Sequence, residues 1–242
     1  MIYTKVFNCL IKISVMSIRI IGIGEYTGDD ITWLRCENFM DATCENVYDA
    51  KDLDIRDTDK LAIILAYDNF QVTTDVARAF HQVGVLTLGL FPEIIKESRY
   101  FDAQTIFKGW GLSSIIGSIL HPMIYPCAID FDFNEIRGTL KDSKRFYTWY
   151  EFADNMEALV QKCKSYLNSI DLNEVEKACF NLYHVYPFDP RPYDMEMLKE
   201  VIDLMPAVCQ LSWGIHKITG WDYPGLSLIL AGKELEINRP GY

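Results

Sequence analysis

The strongest constraint on the fold is the stretch "DKLAIILAYDNFQVTTDVARAFHQVGVLTLGLF". Its apolar residues follow strand periodicity, then helix periodicity, then strand periodicity again. The pattern predicts a buried strand at Leu61–Ala66, a helix that turns Val76, Ala77 and Phe80 inward, and a second buried strand at Val85–Leu90. This stretch therefore predicts a βαβ unit, in which the two strands are parallel and the helix covers the sheet.

The loop that leaves the first of these strands has an unusual composition. In a βαβ unit this loop lies at the carboxyl edge of the sheet, where nucleotides bind, and glycines usually let its backbone approach phosphate. Here the loop reads "YDNFQVTT" and contains no glycine. The fold prediction thus points to a nucleotide-type edge whose loop lacks the usual phosphate cradle.

Composition limits the kind of protein and partner. The chain has 242 residues, 50% of them hydrophobic and 13% aromatic, so it is large enough for one big domain or two modest ones with a real core. A net charge of −11 without a basic cluster argues against nucleic acid as a partner. Seven scattered cysteines without a CxxC pair favour reduced, largely buried thiols and a cytoplasmic location.

The first sixteen residues, "MIYTKVFNCLIKISVM", are apolar but do not have the pattern of a secretory signal. Lys5 and Lys12 interrupt the apolar run, and no small-residue cleavage site follows it. We expect residues 1–16 to be an amino-terminal extension, either an extra strand or helix or a segment that precedes a true start at Met16. Elsewhere no run approaches the ~18 apolar residues of a membrane span, so none is expected.

A glycine-rich turn follows the first predicted strand, Ile18–Ile23. Gly22, Gly24 and Gly28 have the spacing GxGxxxG, and Asp29 or Asp30 is suited to begin a helix. This pattern is compatible with a dinucleotide site, and therefore with a Rossmann-like NAD(P)-binding oxidoreductase. It is equally compatible with an ordinary tight turn, because the acidic residue expected about 20 positions further on is not clearly placed.

The second half of the chain has a different order of elements. A helix is expected at Gln104–Leu120, followed after two prolines by a short helix in "DFDFNEIRGTL". The remaining predicted elements are the strand "RFYTWYEF", a helix at Asp154–Leu167, a strand at Ala178–Tyr186, a helix at Tyr193–Leu204, and the strands "VCQLSWGIH" and "LSLILAG". This order predicts an α+β domain in which helices pack on a mixed sheet.

Taken together, the elements from Ser17 to Gly232 resemble, in one consistent order, the FtsZ and tubulin superfamily. The matching segments are "IRIIGIGEYTG", "LAIILAYDNFQVTTDVARAFHQVGVLTLGLF", "AIDFDFNEIRGTL", "DLNEVEKACFNLYHV" and "CQLSWGIHKITGWDYPGLSLILAG". The resemblance implies an α/β fold with two domains. A reduced, degenerate nucleotide-binding-like domain with a parallel sheet would span residues 17–122, and an FtsZ-like α+β domain with a mixed sheet and two packed helices would span 123–242.

The resemblance also bears on the glycine-free loop that follows the predicted strand Leu61–Ala66. FtsZ-like proteins carry GGGTGTG there, whereas this chain has "AYDNFQVTT", in which side chains obstruct phosphate and Asp68 repels it. About 40 residues separate Gly28 from the loop, which we take as too few for the family's additional strand and phosphate-contacting loop. We therefore expect no bound GTP or GDP, or weak binding only. Any remaining phosphate or base contacts are expected from residues near the helix start: Asn69, Gln71, Thr73 and Thr74.

A second motif of the family, an acidic loop, is partly present in this chain. At the position where FtsZ-like proteins carry Asn-x-Asp-x-x-Asp, a loop that activates water against the neighbouring subunit's GTP, this chain has Asp130, Asp132 and Glu135. The resemblance makes these three carboxylates the candidate catalytic residues. Asp132 and Glu135 also fit an ordinary capping box of the helix that follows, and the sequence leaves both interpretations open.

The function implied by the resemblance is assembly or a cell-division-related role, with weak or lost GTPase activity. Self-association or an FtsZ-like partner is the expected interaction. A Rossmann-like oxidoreductase and a nucleotide-independent interaction module remain the alternatives. A metal site is not expected, because the four histidines lie in separate predicted elements without metal-binding spacing.

Overall fold

The computed structural model of the chain describes residues 16–24, 42–93, 99–107, 111–127, 131–185, 192–218 and 222–235. The predicted extension at residues 1–16 lies almost entirely outside this part of the chain. The described residues contain nine strands and five α-helices. Their bounds are β1 Ser17–Ile23, β2 Ala42–Val47, β3 Asp59–Leu65, α1 Phe70–Gln82, β4 Leu86–Phe91, β5 Ala103–Ile106, α2 Gly111–Ile124, α3 Phe133–Leu140, β6 Lys144–Phe152, α4 Met156–Leu167, β7 Lys177–Val185, α5 Pro192–Ile202, β8 Gln210–Ile218 and β9 Gly225–Gly232.

The chain divides into two compact units, residues 1–108 and 109–242. The boundary expected from the sequence was 122/123, and the difference is one helix. Since α2 packs on β6 and β9, it belongs to the second unit. The Gln104–Leu120 prediction was partly wrong, because residues 103–106 form the buried strand β5 and the helix begins at Gly111.

The first unit contains a parallel sheet with the order β2-β1-β3-β4-β5. Strands β1, β3 and β4 are mainly apolar, as expected for parallel strands that are buried on both faces. Helix α1 covers one face by packing Val76, Ala77 and Phe80 against Ile21 and Ile64. The sequence thus predicted this βαβ unit correctly.

One strand of this sheet was not expected. The length of the interval before β3 predicts that it lacks room for the family's additional strand and phosphate-contacting loop. With respect to a strand the structure differs, because β2 lies there and pairs in parallel with β1 from Ile18↔Ala42 to Ile23↔Val47. That expectation was wrong. An edge strand needs only a few residues, and six are enough here.

The second unit contains a mixed sheet with the order β6-β9-β7-β8. Strand β9 is antiparallel to both β6 and β7, and β7 is parallel to β8. Helices α4 and α5 cover one face of this sheet with an apolar core that includes Leu159, Val160, Leu198 and Val201. The two predicted helices and the mixed sheet are therefore present.

The opposite face of this sheet is different, because α2 and α3 cover it and several inward side chains are polar. Strand alternation places residues i and i+2 on one face, so β6 and β7 each present a polar or aromatic row there, and β9 adds Ser227. The buried members of this row include Thr148, Asn181, Tyr183 and Ser227. This face lies next to the residues that lead into the candidate acidic loop.

Candidate functional site

The nucleotide-type loop of the first unit runs from the end of β3 to the start of α1. Asn69 precedes the helix in the left-handed conformation, with φ 56° and ψ 51°. Asparagine is one of the few residues other than glycine that adopt this conformation routinely. Asn69 therefore provides the sharp turn that a glycine would otherwise make, while keeping a side chain on the loop.

The start of α1 keeps one property of an anion site. The Asn69 side chain makes no capping hydrogen bond, and the first turn contains no acidic residue. A helix start of this kind offers backbone N–H groups and the positive end of the helix dipole to an anion. Asp68, which is exposed on the same loop, works against such binding by charge repulsion.

The other three candidate ligand residues at this edge already have partners within the helix. The buried Thr73 hydroxyl donates to the Asn69 carbonyl at 3.0 Å, and the Thr74 hydroxyl donates to the Phe70 carbonyl at 2.8 Å. The Gln71 amide donates to Asp75 at 2.9 Å. A ligand at this edge would have to compete with these bonds, and for Thr73 it would also have to reach a buried group.

Aromatic side chains occupy the surface of the loop. Tyr67 and Phe70 are 57% and 42% exposed, which is high for such large apolar side chains. The Tyr67 ring packs edge-on against Phe107, with 5.3 Å between ring centroids. This part of the loop is suited to apolar contact with another molecule, whereas a phosphate cradle needs bare backbone.

Only part of the glycine turn after β1 lies within the described residues. Gly22 lies within β1, opposite Asn46 and Leu65 in the neighbouring strands. Gly24 has a φ of +73°, and its N–H donates to the Val47 carbonyl at 3.0 Å. Because a side chain at Gly24 would meet nothing within 4 Å, the turn conformation itself accounts for glycine there. Gly28 lies outside the described residues.

The acidic loop of the second unit leads into α3. Asp132 accepts from the Asn134 N–H at 2.6 Å, and Glu135 accepts from the Asp132 N–H at 2.8 Å, so the two residues form a complete capping box. This geometry supports the capping interpretation of the two carboxylates. Each carboxylate has a further oxygen, so a cap does not by itself remove a second role. Asp130 lies outside the described residues.

A buried cluster of histidines and tyrosines adjoins this loop, and sequence reasoning did not find it. His121 at the end of α2 lies 2.7 Å from the Tyr150 hydroxyl, through its Nδ1 atom. His216 of β8 lies 2.9 Å from Asn181 through its Nε2 atom, and the Tyr183 ring packs against both histidines. The two hydrogen-bonded pairs, His121 with Tyr150 and His216 with Asn181, are 29 and 35 positions apart in the sequence. No local sequence motif therefore identifies the cluster.

Burial controls the protonation of this cluster. It lowers the pKa of both His121 and His216 to about 4, and the hydrogen bond with the Tyr125 carbonyl opposes that effect only partly at His216. Burial also raises the pKa of Cys179 to about 12, and the negative charge of Glu135 adds to the rise. At neutral pH both imidazoles and the Cys179 thiol are uncharged.

In the part of the chain that the structure describes, no group of three or more His, Cys, Asp or Glu side chains is arranged to hold a metal ion. Within the same residues, no helix combines the length and the hydropathy that crossing a bilayer requires.

Solved structures with the same fold identify the architecture. FtsZ of M. jannaschii, as a W319Y mutant, superposes with a TM-score of 0.69 at 12% identity over 96% of each chain. CetZ2 of Haloferax volcanii, in a GTPγS-bound protofilament, gives a TM-score of 0.65 at 15% identity over 92% of this chain and 94% of CetZ2. No protein-family model and no curated protein sequence matches the chain.

These similarities confirm the predicted FtsZ/tubulin-like α/β fold. At 12–15% identity they identify the fold only.

Proposed function

We propose that this chain, which has the fold of FtsZ and CetZ, is an assembly protein related to the FtsZ-type cell-division proteins, with weak or lost GTP binding and hydrolysis. The observation that carries the proposal is the loop from Tyr67 to Phe70. On an FtsZ-type fold, this loop holds exposed aromatic rings and Asp68 at the place where a phosphate cradle would need bare backbone. The inward hydrogen bonds of Thr73 and Thr74 support the same conclusion.

Self-association is the interaction that the solved structures favour. One solved structure of M. jannaschii FtsZ is an empty dimer, and that of CetZ2 is a GTPγS-bound protofilament. In the present chain, the exposed Tyr67 and Phe70 offer an apolar contact that needs no nucleotide. The net charge of −11 opposes close packing of many copies, so we expect a monomer or small oligomer in the cytoplasm rather than a long polymer.

The first prediction concerns nucleotide affinity. In calorimetric titration with GTP or GDP and Mg²⁺, we expect no binding as tight as micromolar, because Asp68 repels phosphate and the nearby hydroxyls are occupied. Replacing Asp68 with asparagine removes one charge next to the helix start and should tighten any residual binding about fivefold, which corresponds to ~1 kcal/mol of charge repulsion. Asp57→Asn is the matched control, since it makes the same charge change at the opposite end of β3.

Micromolar or tighter binding of GTP by the unaltered protein would contradict this prediction. Thermal-shift measurements with NAD and NADP distinguish the oxidoreductase alternative, because a ligand at 100 times its dissociation constant stabilises the native state by ~2.7 kcal/mol. Stabilisation by NAD or NADP alone would favour that alternative.

The second prediction concerns assembly. In sedimentation experiments we expect the same monomer or small oligomer with and without GTP and Mg²⁺. The diagnostic variant is Asp132→Asn, because asparagine keeps the helix cap while it removes the carboxylate charge. Asp171→Asn is its matched control, since Asp171 caps a short 3₁₀ helix elsewhere in the same unit. A GTP-dependent polymer that is lost in Asp132→Asn and kept in Asp171→Asn would show that the acidic loop is still catalytic, and the proposal of weak GTPase activity would fail.

A further inference from the structure

The two described flanks of the acidic loop, Tyr125–Cys127 and Phe131–Asp132, both lie against one strand. Strand β8 is the last strand of its unit's sheet, and its Lys217 N–H donates to the Pro126 carbonyl at 2.9 Å. Next to this bond, Cys127 and His216 form an antiparallel bridge. The first flank is therefore held to the sheet by backbone contacts at the carboxyl end of β8.

One side chain of β8 reaches both flanks. The Nδ1 atom of His216 lies 3.4 Å from the Tyr125 carbonyl oxygen, a long hydrogen bond, while its ring packs edge-on against Phe131 with 5.6 Å between centroids. On its other side, Nε2 lies 2.9 Å from the Asn181 side-chain oxygen. His216 and Asn181 are both completely buried. The imidazole thus lies between the strand to which it belongs and the two segments that enclose the acidic loop.

The packing around this imidazole leaves no spare room. A side chain at Gly214 would place its Cβ 2.7 Å from His216 Nε2, 2.8 Å from the Asn181 oxygen and 3.1 Å from the Phe131 ring. Contacts below 3 Å require something to shift. Glycine at this position therefore lets the histidine, the amide and the phenyl ring meet.

Hydrogen-bond chemistry fixes which proton His216 carries. A neutral imidazole donates one hydrogen bond and accepts one. The Tyr125 carbonyl can only accept, so Nδ1 must be the donor. Nε2 must then accept, so the oxygen and nitrogen of the Asn181 amide exchange the positions given above. The NH₂ group then donates to Nε2, and the oxygen accepts from the Cys179 thiol. In this arrangement each group has a partner of the right kind.

We propose that His216, oriented by Asn181, is a positioning residue that holds the flanks of the acidic loop so that the Asp132 and Glu135 carboxylates are presented to a neighbouring subunit. This inference rests on the proposed assembly function and deepens it. The capping box then fixes the two carboxylates on α3, while His216 fixes the segments that lead to them.

The test compares His216→Leu with His216→Gln in the full-length protein. Leucine removes both hydrogen bonds, whereas glutamine keeps an amide that can donate to the Tyr125 carbonyl and accept from Asn181. We expect hydrogen exchange at the amides of Cys127, Phe131 and Lys217 to rise at least ~tenfold in His216→Leu and to return toward the original rate in His216→Gln. Ser227→Ala is the matched control, because it removes a buried hydrogen bond to Tyr183 in the same sheet but no hydrogen bond to the loop flanks.

Two results would overturn the positioning role. One is unchanged exchange at the loop flanks in His216→Leu; the other is an equal rise throughout β6, β7 and β9, which would mean general loosening. If the leucine variant does not fold, nitrogen NMR of the imidazole in the unaltered protein decides the question. A proton resident on Nδ1 supports the inference, and one resident on Nε2 overturns it.

Sedimentation velocity supplies the functional readout. We expect His216→Leu to weaken self-association about as much as Asp132→Asn, with Ser227→Ala unchanged. Faster exchange at the flanks without weaker association would overturn the link between His216 and the neighbouring subunit. If the unaltered protein is a monomer throughout, the link between His216 and a neighbouring subunit fails, while the exchange data still decide whether His216 holds the loop.

Discussion

Replacing Arg19 with methionine is expected to lower the free energy of unfolding by about 3–5 kcal/mol, the usual effect of removing one partner from a buried ion pair. Arg19 of β1 and Asp59 of β3 are each about 2% exposed, and the guanidinium donates to Asp59 at 2.9 Å. It also donates to Glu45 of β2 and to the Asp54 carbonyl. Arg19 thus connects three neighbouring strands, and its loss leaves Asp59 buried without its cation.

Urea denaturation followed by circular dichroism measures this loss, and hydrogen exchange in β1 and β3 localises it to the first unit. The additional change Asp59→Asn should recover about half of the loss, because the amide oxygen still accepts from the Arg56 N–H while the buried charge is gone. Lys199→Met is the surface control, since its ion pair with Asp203 is exposed and should leave the midpoint unchanged. A change below ~1 kcal/mol for Arg19→Met would contradict the prediction.

The elements that the sequence predicted well are those with strong and uninterrupted periodicity. Strands β3 and β4 are short apolar runs, and α1 and α4 bury residues at helical spacing against them or against the neighbouring sheet. In these segments local propensity and tertiary burial favour the same structure. The order of elements was enough to predict an FtsZ/tubulin-like fold, which the solved structures confirm.

The missed strands lack such a signal. Strand β2, "ATCENV", contains mostly small or polar residues and has only Val47 fully buried among its described side chains. Strand β5 is four residues long and includes the buried Gln104 and Thr105, whose polarity is unusual for a buried parallel strand. Pairing with β1 and β4 decides both structures, and pairing partners are not visible in a local window.

The site was predicted in the same uneven way. The capping box at Asp132 and Glu135 follows from a four-residue pattern, and the structure contains it. The hydrogen bonds of Thr73 and Thr74 to their own helix could also have been anticipated, since threonine near a helix start often bonds to the carbonyl four residues before it. The histidine cluster could not, because its members come together only when α2, β7 and β8 are packed. The only local signal was the polar row on one face of β7, Cys179, Asn181 and Tyr183, opposite an apolar row.

The buried cluster around His121 and His216 is expected to lower the free energy of unfolding in mild acid. His121 faces Tyr150, Tyr125 and Tyr183, while His216 faces Tyr183, Phe131, Asn181 and the Tyr125 carbonyl. The negative charge of Glu135 acts on Cys179, the residue two positions before Asn181, and raises its pKa. Phenol and amide groups do not compensate a buried imidazolium, so the folded protein disfavours protonation of both rings.

The direction of the pH dependence follows from the lowered pKa of each histidine, about 4 when folded against 6.5 in the unfolded chain. Between these two values the unfolded chain binds more protons than the folded one, so stability is full above pH 6.5 and falls as the pH drops toward 4. From pH 7.5 to 4.5 each histidine should remove about 2.5 kcal/mol, or about 5 kcal/mol together. Carboxylates contribute over the lower part of this range as well, so the informative quantity is the difference between variants.

Urea denaturation at several pH values in this interval measures that difference, with the double variant His121→Gln, His216→Gln as the comparison. Glutamine does not titrate, so the double variant should be less stable at pH 7.5 but should lose about 5 kcal/mol less on acidification than the unaltered protein. Ser227→Ala, which weakens the same sheet without removing a titrating group, should keep the full slope. Equal slopes in the unaltered protein and the double glutamine variant would mean that these imidazoles are accessible to water or already paired with a carboxylate. In either case His216 would not be the dry, neutral contact that holds the flanks of the acidic loop.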